Sequence, residues 1–316
     1  MARRRTPGVA APSRSSGSGI FKLVRGAFLF LAVLLVTVGG VSGFVTYKIL
    51  SERNDTERIT PDAIFQTSYV NLSFTDRRGR EHDGWLLVGL QSAPAIIFCH
   101  GYDSNRSDLL VLGNLLQTNH FNAYVFNFQG PKVKDKLTDL GLTQVEVLQA
   151  AIGKVTQQTG VNPNRVGLFG VDSGGFAALA VAEENPLVKA LVVDTIYDDP
   201  REMFNAQVEQ FLGGGTAKSF QFFPYTIFKL LNYSKTKPPV RQSLKELTGK
   251  PTLYIQGRDS GLLAHQTEAL YNAAPEPKRL LVLDQSYPTL ASGTVKKEYE
   301  DQVLNFFLQN LPLRAD

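Results

Sequence analysis

Cysteine and histidine are both scarce in this chain of 316 residues. Its one cysteine, Cys99, excludes an internal disulfide framework and a zinc site built on cysteine ligands. Imidazole is the commonest general base near neutral pH, and it is available at only four positions: His82, His100, His120 and His265. The sequence also lacks a metal-ligand cluster, a phosphate loop and a dinucleotide fingerprint, so we expect neither a metal nor a cofactor.

Outside residues 1–25, the chain has no excess of positively charged residues. The sequence has 33 Lys and Arg against 29 Asp and Glu, a formal net charge of +4. Six of the basic residues and no acidic residue occur in residues 1–25, which leaves 27 basic against 29 acidic side chains elsewhere. A nucleic-acid-binding domain carries its basic residues on a folded face, so we expect no nucleic-acid partner. We interpret residues 1–25 as a disordered basic tail, since Ser, Gly, Pro and Ala dominate much of it.

An uncharged, mostly apolar run of 22 residues extends from Gly26 to Tyr47. As a helix it would be about 33 Å long, enough to cross a hydrocarbon core of about 30 Å. We predict a single-pass transmembrane helix over residues 26–48, retained as a signal anchor. A cleaved signal peptide is the alternative, because small residues occur at Val41-Ser42-Gly43.

The tail and the apolar run also predict how the chain is oriented in the membrane and whether two copies associate. Its excess of Lys and Arg predicts a cytoplasmic N-terminus and an extracytoplasmic C-terminal domain, on the periplasmic side of the inner membrane in a bacterium. Gly39 and Gly43 have the small-xxx-small spacing through which two membrane helices can form a weak homodimer. Residues 49–65 are mostly polar, and we interpret them as a stalk.

Residues 66–316 alternate between short apolar runs and helix-like stretches. The first strand-like segments, at 69–74 and 85–88, are typical of a hairpin. Wholly apolar runs are typical of strands buried on both faces, and they occur at 95–99, 123–126, 166–169, 190–193, 252–255 and 280–283. This alternation predicts an α/β domain with a mostly parallel central sheet flanked by helices. An aromatic-rich segment, residues 197–245, interrupts the pattern and predicts a small helical lid.

Two segments of the domain carry a family resemblance. Residues 96–107 (IIFCHGYDSNRS) are an apolar strand followed by a His-Gly turn, and residues 166–177 (VGLFGVDSGGFA) are a strand followed by a turn framed by glycines. Both resemble α/β-hydrolases, in the esterase and serine-peptidase-like branch with short lids. Residues 251–260 (PTLYIQGRDS) are similar to the strand and loop that carry the catalytic acid of that family. The resemblance covers residues 66–312 and implies the α/β-hydrolase fold.

The resemblance assigns roles by position. It implies structural roles for four residues of the two turns: His100, Gly101, Gly170 and Gly174. It implies an oxyanion hole formed by the backbone N–H groups of Tyr102 and Ser173. It also implies a triad of nucleophile, histidine and acid.

All three triad positions are substituted in this chain. Asp172 occupies the nucleophile position between Gly170 and Gly174, and Tyr287 occupies the histidine position in the loop after the last strand. Ser260 stands at the acid position, with Asp259 one place before it. Loss of the nucleophile or the histidine alone lowers turnover by roughly 10⁶ in a serine hydrolase. The substitutions favour a pseudo-hydrolase that acts by binding a small-molecule or protein ligand.

Two routes to catalysis stay open, and a third function has no catalytic part. Ser173 is an alternative nucleophile, although Val171 would then crowd the turn. Asp172 resembles the aspartate with which epoxide hydrolases and haloalkane dehalogenases form an ester, but Tyr287, with an ordinary pKa of about 10, is a poor base for its hydrolysis. Either route would give an active hydrolase of ester, epoxide or peptide bonds. The third function is a structural anchor in an envelope assembly.

Overall fold

One sheet of eight strands forms the centre of the molecule. The computed structural model describes residues 17–51, 56–63, 68–130, 137–214, 220–235, 237–287 and 293–313. The strand order is β1-β2-β4-β3-β5-β6-β7-β8. Their bounds are Tyr69–Thr75, Glu81–Leu87, Ala93–Cys99, Asn122–Phe126, Val161–Val171, Val188–Asp194, Thr252–Gly257 and Lys278–Leu283. β2 pairs antiparallel with β1 and β4, and the other pairs are parallel. The predicted mostly parallel sheet is confirmed.

Helices cover both faces of this sheet. Among the described residues they are α1 Gly17–Leu50, α2 Arg106–Thr118, α3 Gln144–Val155, α4 Asp172–Glu184, α5 Pro200–Leu212, α6 Phe222–Leu231, α7 Leu262–Ala273 and α8 Thr294–Asn310. Side chains of α3 and α4 belong to one apolar core, and side chains of α2 and α8 belong to a second. Strands β3 and β4 are buried along their whole length. A sheet buried on both faces explains why its strands are continuous apolar runs in the sequence.

The N-terminal helix α1 is longer than the predicted residues 26–48. It begins at Gly17 because Ile20, Phe21, Leu23 and Val24 extend the apolar sequence across Lys22 and Arg25. Residues 17–25 are therefore helical, which corrects the prediction of disorder there; residues 1–16 lie outside the described residues. The part Phe21–Leu50 is long and apolar enough to cross a membrane, a test that an N-terminal signal sequence also passes.

The last turns of α1 pack on the hydrolase-like body. Ile49 and Leu50 are only 2% and 1% exposed, and Ser51 forms a β-bridge with Leu137. Farther along, the Glu57 carboxylate pairs with Arg106 at 2.7 Å. The described parts of the predicted stalk, 49–51 and 56–63, thus lie against the domain, because apolar side chains of α1 and the charge of Glu57 find partners there. The predicted domain start at residue 66 must accordingly be moved toward the N-terminus.

Short helices form the predicted lid within residues 197–245. The segment contains α5, α6 and two 3₁₀ turns, Val240–Gln242 and Leu244–Leu247. Phe204 of α5 stacks on Phe228 of α6 with ring centroids 4.9 Å apart. Two of the aromatic side chains that mark this segment in the sequence therefore hold the lid helices to each other.

Candidate functional site

The site is built at the turn between β5 and α4. Asp172 is the first residue of α4 and has a φ of 47°, a left-handed conformation that is uncommon outside glycine. A Cβ at Gly170 would lie 2.6 Å from the Gly174 carbonyl oxygen, and a Cβ at Gly174 would lie 2.3 Å from the Cys99 carbonyl oxygen. Neither position accepts a side chain, so the two glycines allow the sharp turn that displays residue 172.

Asp172 lines a cavity whose described lining residues include no cationic side chain. Its Oδ2 atom would be 2.7 Å from a Cβ at Gly101, so the carboxyl packs directly against the His-Gly turn. Burial, and after it the nearby charge of Asp194, raise the pKa of Asp172 well above its ordinary value. The carboxyl therefore keeps its proton over a range of pH in which an exposed aspartate is ionised. In that form it donates a hydrogen bond and is a poor nucleophile.

The cavity has a volume of about 470 Å³, a size typical of small-molecule sites. Helix α5 supplies one wall, the loop after β7 with the start of α7 supplies a second, and the loop after β8 supplies a third. The described lining residues are Tyr102, Asp172, Thr195, Met203, Ala206, Gln207, Glu209, Gln210, Gly214, Asp259, Ser260, Gly261, Leu262, Leu263, Ser286 and Tyr287. Among them are three carboxylic acids and no Lys, Arg or His.

Ser173, the alternative nucleophile, does not line this cavity. Its side chain is only 1% exposed, and its hydroxyl oxygen has no hydrogen-bond partner within the described part of the chain. The turn thus presents Asp172 to the cavity and directs Ser173 into the protein. A catalytic role for Ser173 would require the turn to be rebuilt.

Solved structures of esterases have the same architecture. An esterase of Pyrococcus furiosus, Pf2001, superposes with a TM-score of 0.65 at 17% identity, covering 83% of this chain and 100% of the esterase. A dienelactone hydrolase from Anabaena variabilis superposes with a TM-score of 0.56 at 16% identity, covering 78% and 99% of the two chains. This chain has the α/β-hydrolase fold. At these identities the likeness is one of fold.

The proteins related to this chain in sequence are uncharacterized and suggest no activity for it. The uncharacterized protein YfhR of Escherichia coli O157:H7 is 28% identical over 255 residues, which are 77% of this chain and 82% of YfhR. YfhR of Salmonella typhi is 22% identical over 261 residues, 75% of this chain and 80% of the relative. No family model matches the sequence.

The side chain of Tyr287, which the resemblance predicts at the histidine position, is tied to the scaffold. Its hydroxyl donates to the backbone carbonyl of Asp108 in α2. Its backbone N–H donates to Oδ2 of Asp194 at 3.0 Å. Burial raises the pKa of Tyr287 further above that of an exposed tyrosine. Tyr287 therefore braces the loop after β8 and has no means of accepting a proton near neutral pH.

Asp194, at the end of β6, is a buried acid that the sequence analysis did not single out. Besides the Tyr287 N–H, it accepts hydrogen bonds from the Tyr299 hydroxyl at 2.8 Å and the Thr195 hydroxyl at 2.7 Å. Burial raises the pKa of Asp194 to about 6, and these three donors limit the rise. A signal for it was available, since an aspartate directly after a wholly apolar run lies at the carboxyl edge of the sheet, where hydrolase-fold sites form.

Thr195 connects Asp194 to Ser260, the residue that the resemblance predicts at the acid position. It has a φ of 53°, a strained conformation for a β-branched residue. Because its hydroxyl donates to Asp194, its oxygen is left to accept from the Ser260 hydroxyl at 3.1 Å. Asp259, one place earlier, accepts from the backbone N–H of Ser286 at 2.8 Å. Ser260 and Asp259 thus join three loops at one edge of the sheet, and their catalytic assignment stays a prediction.

The four histidines lie elsewhere. The Phe128 N–H donates to Nε2 of His100 at 3.1 Å, so Nδ1 carries the proton and donates to the Gly101 carbonyl at 3.1 Å. Burial lowers the pKa of His100 to about 4, which keeps the ring neutral. His82 is buried beside Asp76, and His265 is exposed on α7. No histidine, His120 included, is among the described residues that line the cavity.

A further prediction concerns the oxyanion hole formed by the backbone N–H groups of Tyr102 and Ser173. The Tyr102 hydroxyl donates to the carbonyl of Ile49 in α1, which fixes the turn that carries the predicted oxyanion N–H group. That role of the Tyr102 and Ser173 backbone stays a prediction.

The described residues contain no group of three or more His, Cys, Asp or Glu that could hold a metal ion.

Proposed function

We propose that this protein is a membrane-anchored pseudo-hydrolase that binds a neutral, carbonyl-bearing small molecule without hydrolysing it. One observation carries the proposal. Asp172, with a raised pKa, lies at the turn framed by Gly170 and Gly174 where the resemblance predicts the nucleophile, and the described lining of its cavity contains no histidine. These two features support a site in which the nucleophile and its base are both replaced.

The chemistry of the cavity favours that class of ligand. A protonated Asp172 can donate to a carbonyl oxygen, and the predicted oxyanion N–H groups of Tyr102 and Ser173 would point at the same atom. An anionic ligand would meet Glu209 and Asp259 without a cation among the described lining residues. Met203, Leu262 and Leu263 supply apolar contact for the remainder of the ligand.

The anchoring part of the proposal rests on α1. The small residues that suggested a cleavage site lie inside a continuous helix, and Ser42 is buried against the body. Val45 and Ile49 continue into the same apolar core as α6 and β5. These contacts support a retained anchor over a cleaved signal peptide, with the basic tail in the cytoplasm and the body on the other side. Gly39 and Gly43 have open space around them, which is compatible with the proposed weak homodimer.

A test of catalysis uses the full-length protein in detergent. Incubation with a fluorophosphonate probe, p-nitrophenyl esters, an epoxide and a haloalkane should give neither labelling nor turnover. Labelling at Ser173, or turnover abolished by Ser173→Ala, would support an active serine hydrolase. A mass increase on Asp172 after epoxide or haloalkane treatment, absent in Asp172→Asn, would support an ester intermediate. Either result would refute the pseudo-hydrolase.

A test of binding measures thermal stabilisation by methyl ketones of increasing chain length. The wild type should be stabilised, and the stabilisation should decline as the pH rises and Asp172 loses its proton. Asp172→Asn should remove that pH dependence because an amide keeps its donor at every pH. Glu298→Gln, an exposed site on α8, is the matched control. Absence of stabilisation at all chain lengths would contradict a carbonyl-binding cavity.

A further inference from the structure

The outer face of lid helix α6 is mostly apolar although it is exposed, with Thr226 and Lys229 as its exposed polar side chains. Pro224 and Phe228 face inward, whereas Phe222 is 70% exposed, Leu230 66% and Leu231 53%. Lys229 is the one charged residue in the ten-residue sequence of this helix. Contiguous exposed apolar surface of this kind marks an interaction site in a folded protein.

A hydrogen bond holds helix α6 at a defined position along the axis of α1. The Thr46 hydroxyl of α1 donates to the Pro224 carbonyl of α6 at 3.1 Å. Residues 21–41 of α1 are exposed or half-exposed, and Ser42 is the first residue buried on the body. That exposed stretch is about 31 Å long, which matches a hydrocarbon core of about 30 Å.

The docking of α1 on the body thus begins where the hydrocarbon core would end. Thr46 lies about 7.5 Å farther along the helix axis than Val41. The headgroup region on each side of the core is about 5–8 Å thick. The contact with Pro224 therefore places the start of α6 at headgroup level.

We propose that α6 is a membrane-surface helix whose apolar face, Phe222, Phe223, Leu230 and Leu231, inserts into the phospholipid interface around α1. Continuity with α1 favours lipid as the occupant, since a bilayer that surrounds residues 21–41 also reaches the exposed side of α6. Interfacial helices combine such an apolar face with basic residues, here Lys229, near the headgroups. The inference rests on the anchoring part of the proposed function and not on whether the cavity binds or hydrolyses its ligand.

The test measures the depth of spin labels on the full-length protein in phosphatidylcholine proteoliposomes. Cys99 is fully buried, so an introduced cysteine is the accessible thiol and the wild type serves as the unlabelled control. Labels are placed by Phe222→Cys and Leu230→Cys on α6, by Leu31→Cys in the span, and by Leu308→Cys on α8, which packs on the other face of the sheet. Collision rates with oxygen, which concentrates in lipid, are compared with those of a water-soluble nickel chelate.

At positions 222 and 230 the ratio of oxygen to nickel collisions should exceed the ratio at 308 and fall below that at 31. Ratios at 222 and 230 as low as at 308 would overturn the inference and leave the anchor intact. Protection from both reagents at 222 and 230 would also overturn it, because a protein partner would then cover α6. A nickel-dominated label at 31 would overturn the anchor itself, and the inference with it.

Discussion

The state of one carboxyl group, Asp172, decides what the site can do. Burial and the charge of Asp194 raise its pKa above the ordinary value of 3.8, so the folded protein holds this proton more tightly than the unfolded chain does. Whenever the folded-state pKa of an acid is raised, its contribution to stability is full below the unfolded value and is lost as the pH rises toward the folded value. The wild type should therefore become less stable as the pH rises from 5 to 8.

Replacement of Asp172 by Asn should remove the part of this loss that Asp172 causes, while the part from Asp194, whose pKa burial raises to about 6, should remain. The expected result is that the unfolding temperature of Asp172→Asn rises relative to the wild type between pH 5 and pH 8. The measurement follows the reaction of Cys99 with a thiol-reactive dye during heating, since this single cysteine is buried until the sheet opens. Glu298→Gln should track the wild type. Parallel curves for the wild type and Asp172→Asn would show that Asp172 is not a buried acid with a raised pKa.

A second prediction concerns the hydrogen bonds around Asp194. Asp194→Ala should lower the free energy of unfolding by about 2 kcal/mol, because it leaves the Tyr299 hydroxyl and the Tyr287 N–H buried without an acceptor. Tyr299→Phe should lower it by about 1 kcal/mol and show coupling to Asp194 in a double-mutant cycle. Asp194→Asn should lie closer to the wild type, since its amide can still accept from Tyr299. Additive effects of the two substitutions would contradict a direct bond.

The candidate site shows which residues the sequence can assign and which it cannot. Gly170 and Gly174 were assignable because a turn that tolerates no side chain leaves its mark in residue type. The resemblance placed Asp172 and Tyr287 at the site by position; both line the cavity, and their roles stay predictions. Asp194 and Thr195 were missed because their importance comes from what lies next to them in space: the Tyr299 hydroxyl is 105 positions away from Asp194.

At the scale of elements, periodicity predicted the strands and most helices well. Apolar runs such as 95–99 and 190–193 lie within β3 and β6 because strands covered on both faces need apolar side chains at every position. The ends of α1 and the packing of its last turns on the body were not predictable in this way. A long apolar helix has the same sequence character whether lipid or protein surrounds it.

The packing of α1 on the body predicts that substitutions in the last turns of this helix lower the stability of the body. Ile49→Ala should destabilise the body by about 2–5 kcal/mol, because the side chain is 2% exposed and its removal leaves a cavity where α1 packs on the apolar core of the body. Leu31→Ala should have no such effect, since Leu31 does not touch the body. The measurement is the temperature at which Cys99 becomes reactive in detergent-solubilised full-length protein. Equal effects of the two substitutions would contradict structural docking of residues 42–50.

At the scale of the whole molecule, the basic tail, the apolar helix α1 and the body are consistent with a single arrangement across a membrane. The basic tail precedes an exposed apolar helix, and the body that follows carries 27 basic against 29 acidic side chains within residues 26–316. A basic flank on one side of a membrane helix retains that side in the cytoplasm. In the proposed orientation, the lid helix α6, the Tyr102 turn and the last turns of α1 would meet on the opposite side of the membrane.

This arrangement predicts topology in Escherichia coli, a host that has relatives of this chain. Alkaline phosphatase fused after residue 316 should be active, because it folds only outside the cytoplasm, whereas green fluorescent protein exported by the same route should stay dark. Replacing the six basic residues of the tail by Gln should lower phosphatase activity, since Lys48, Arg53 and Arg58 would then hold the only positive charge near the helix. Neutralising Lys296 and Lys297, which lie on α8 far from α1 in the sequence, is the control for lost charge as such. An inactive phosphatase with a bright fluorescent fusion would place the body in the cytoplasm and refute the proposed orientation.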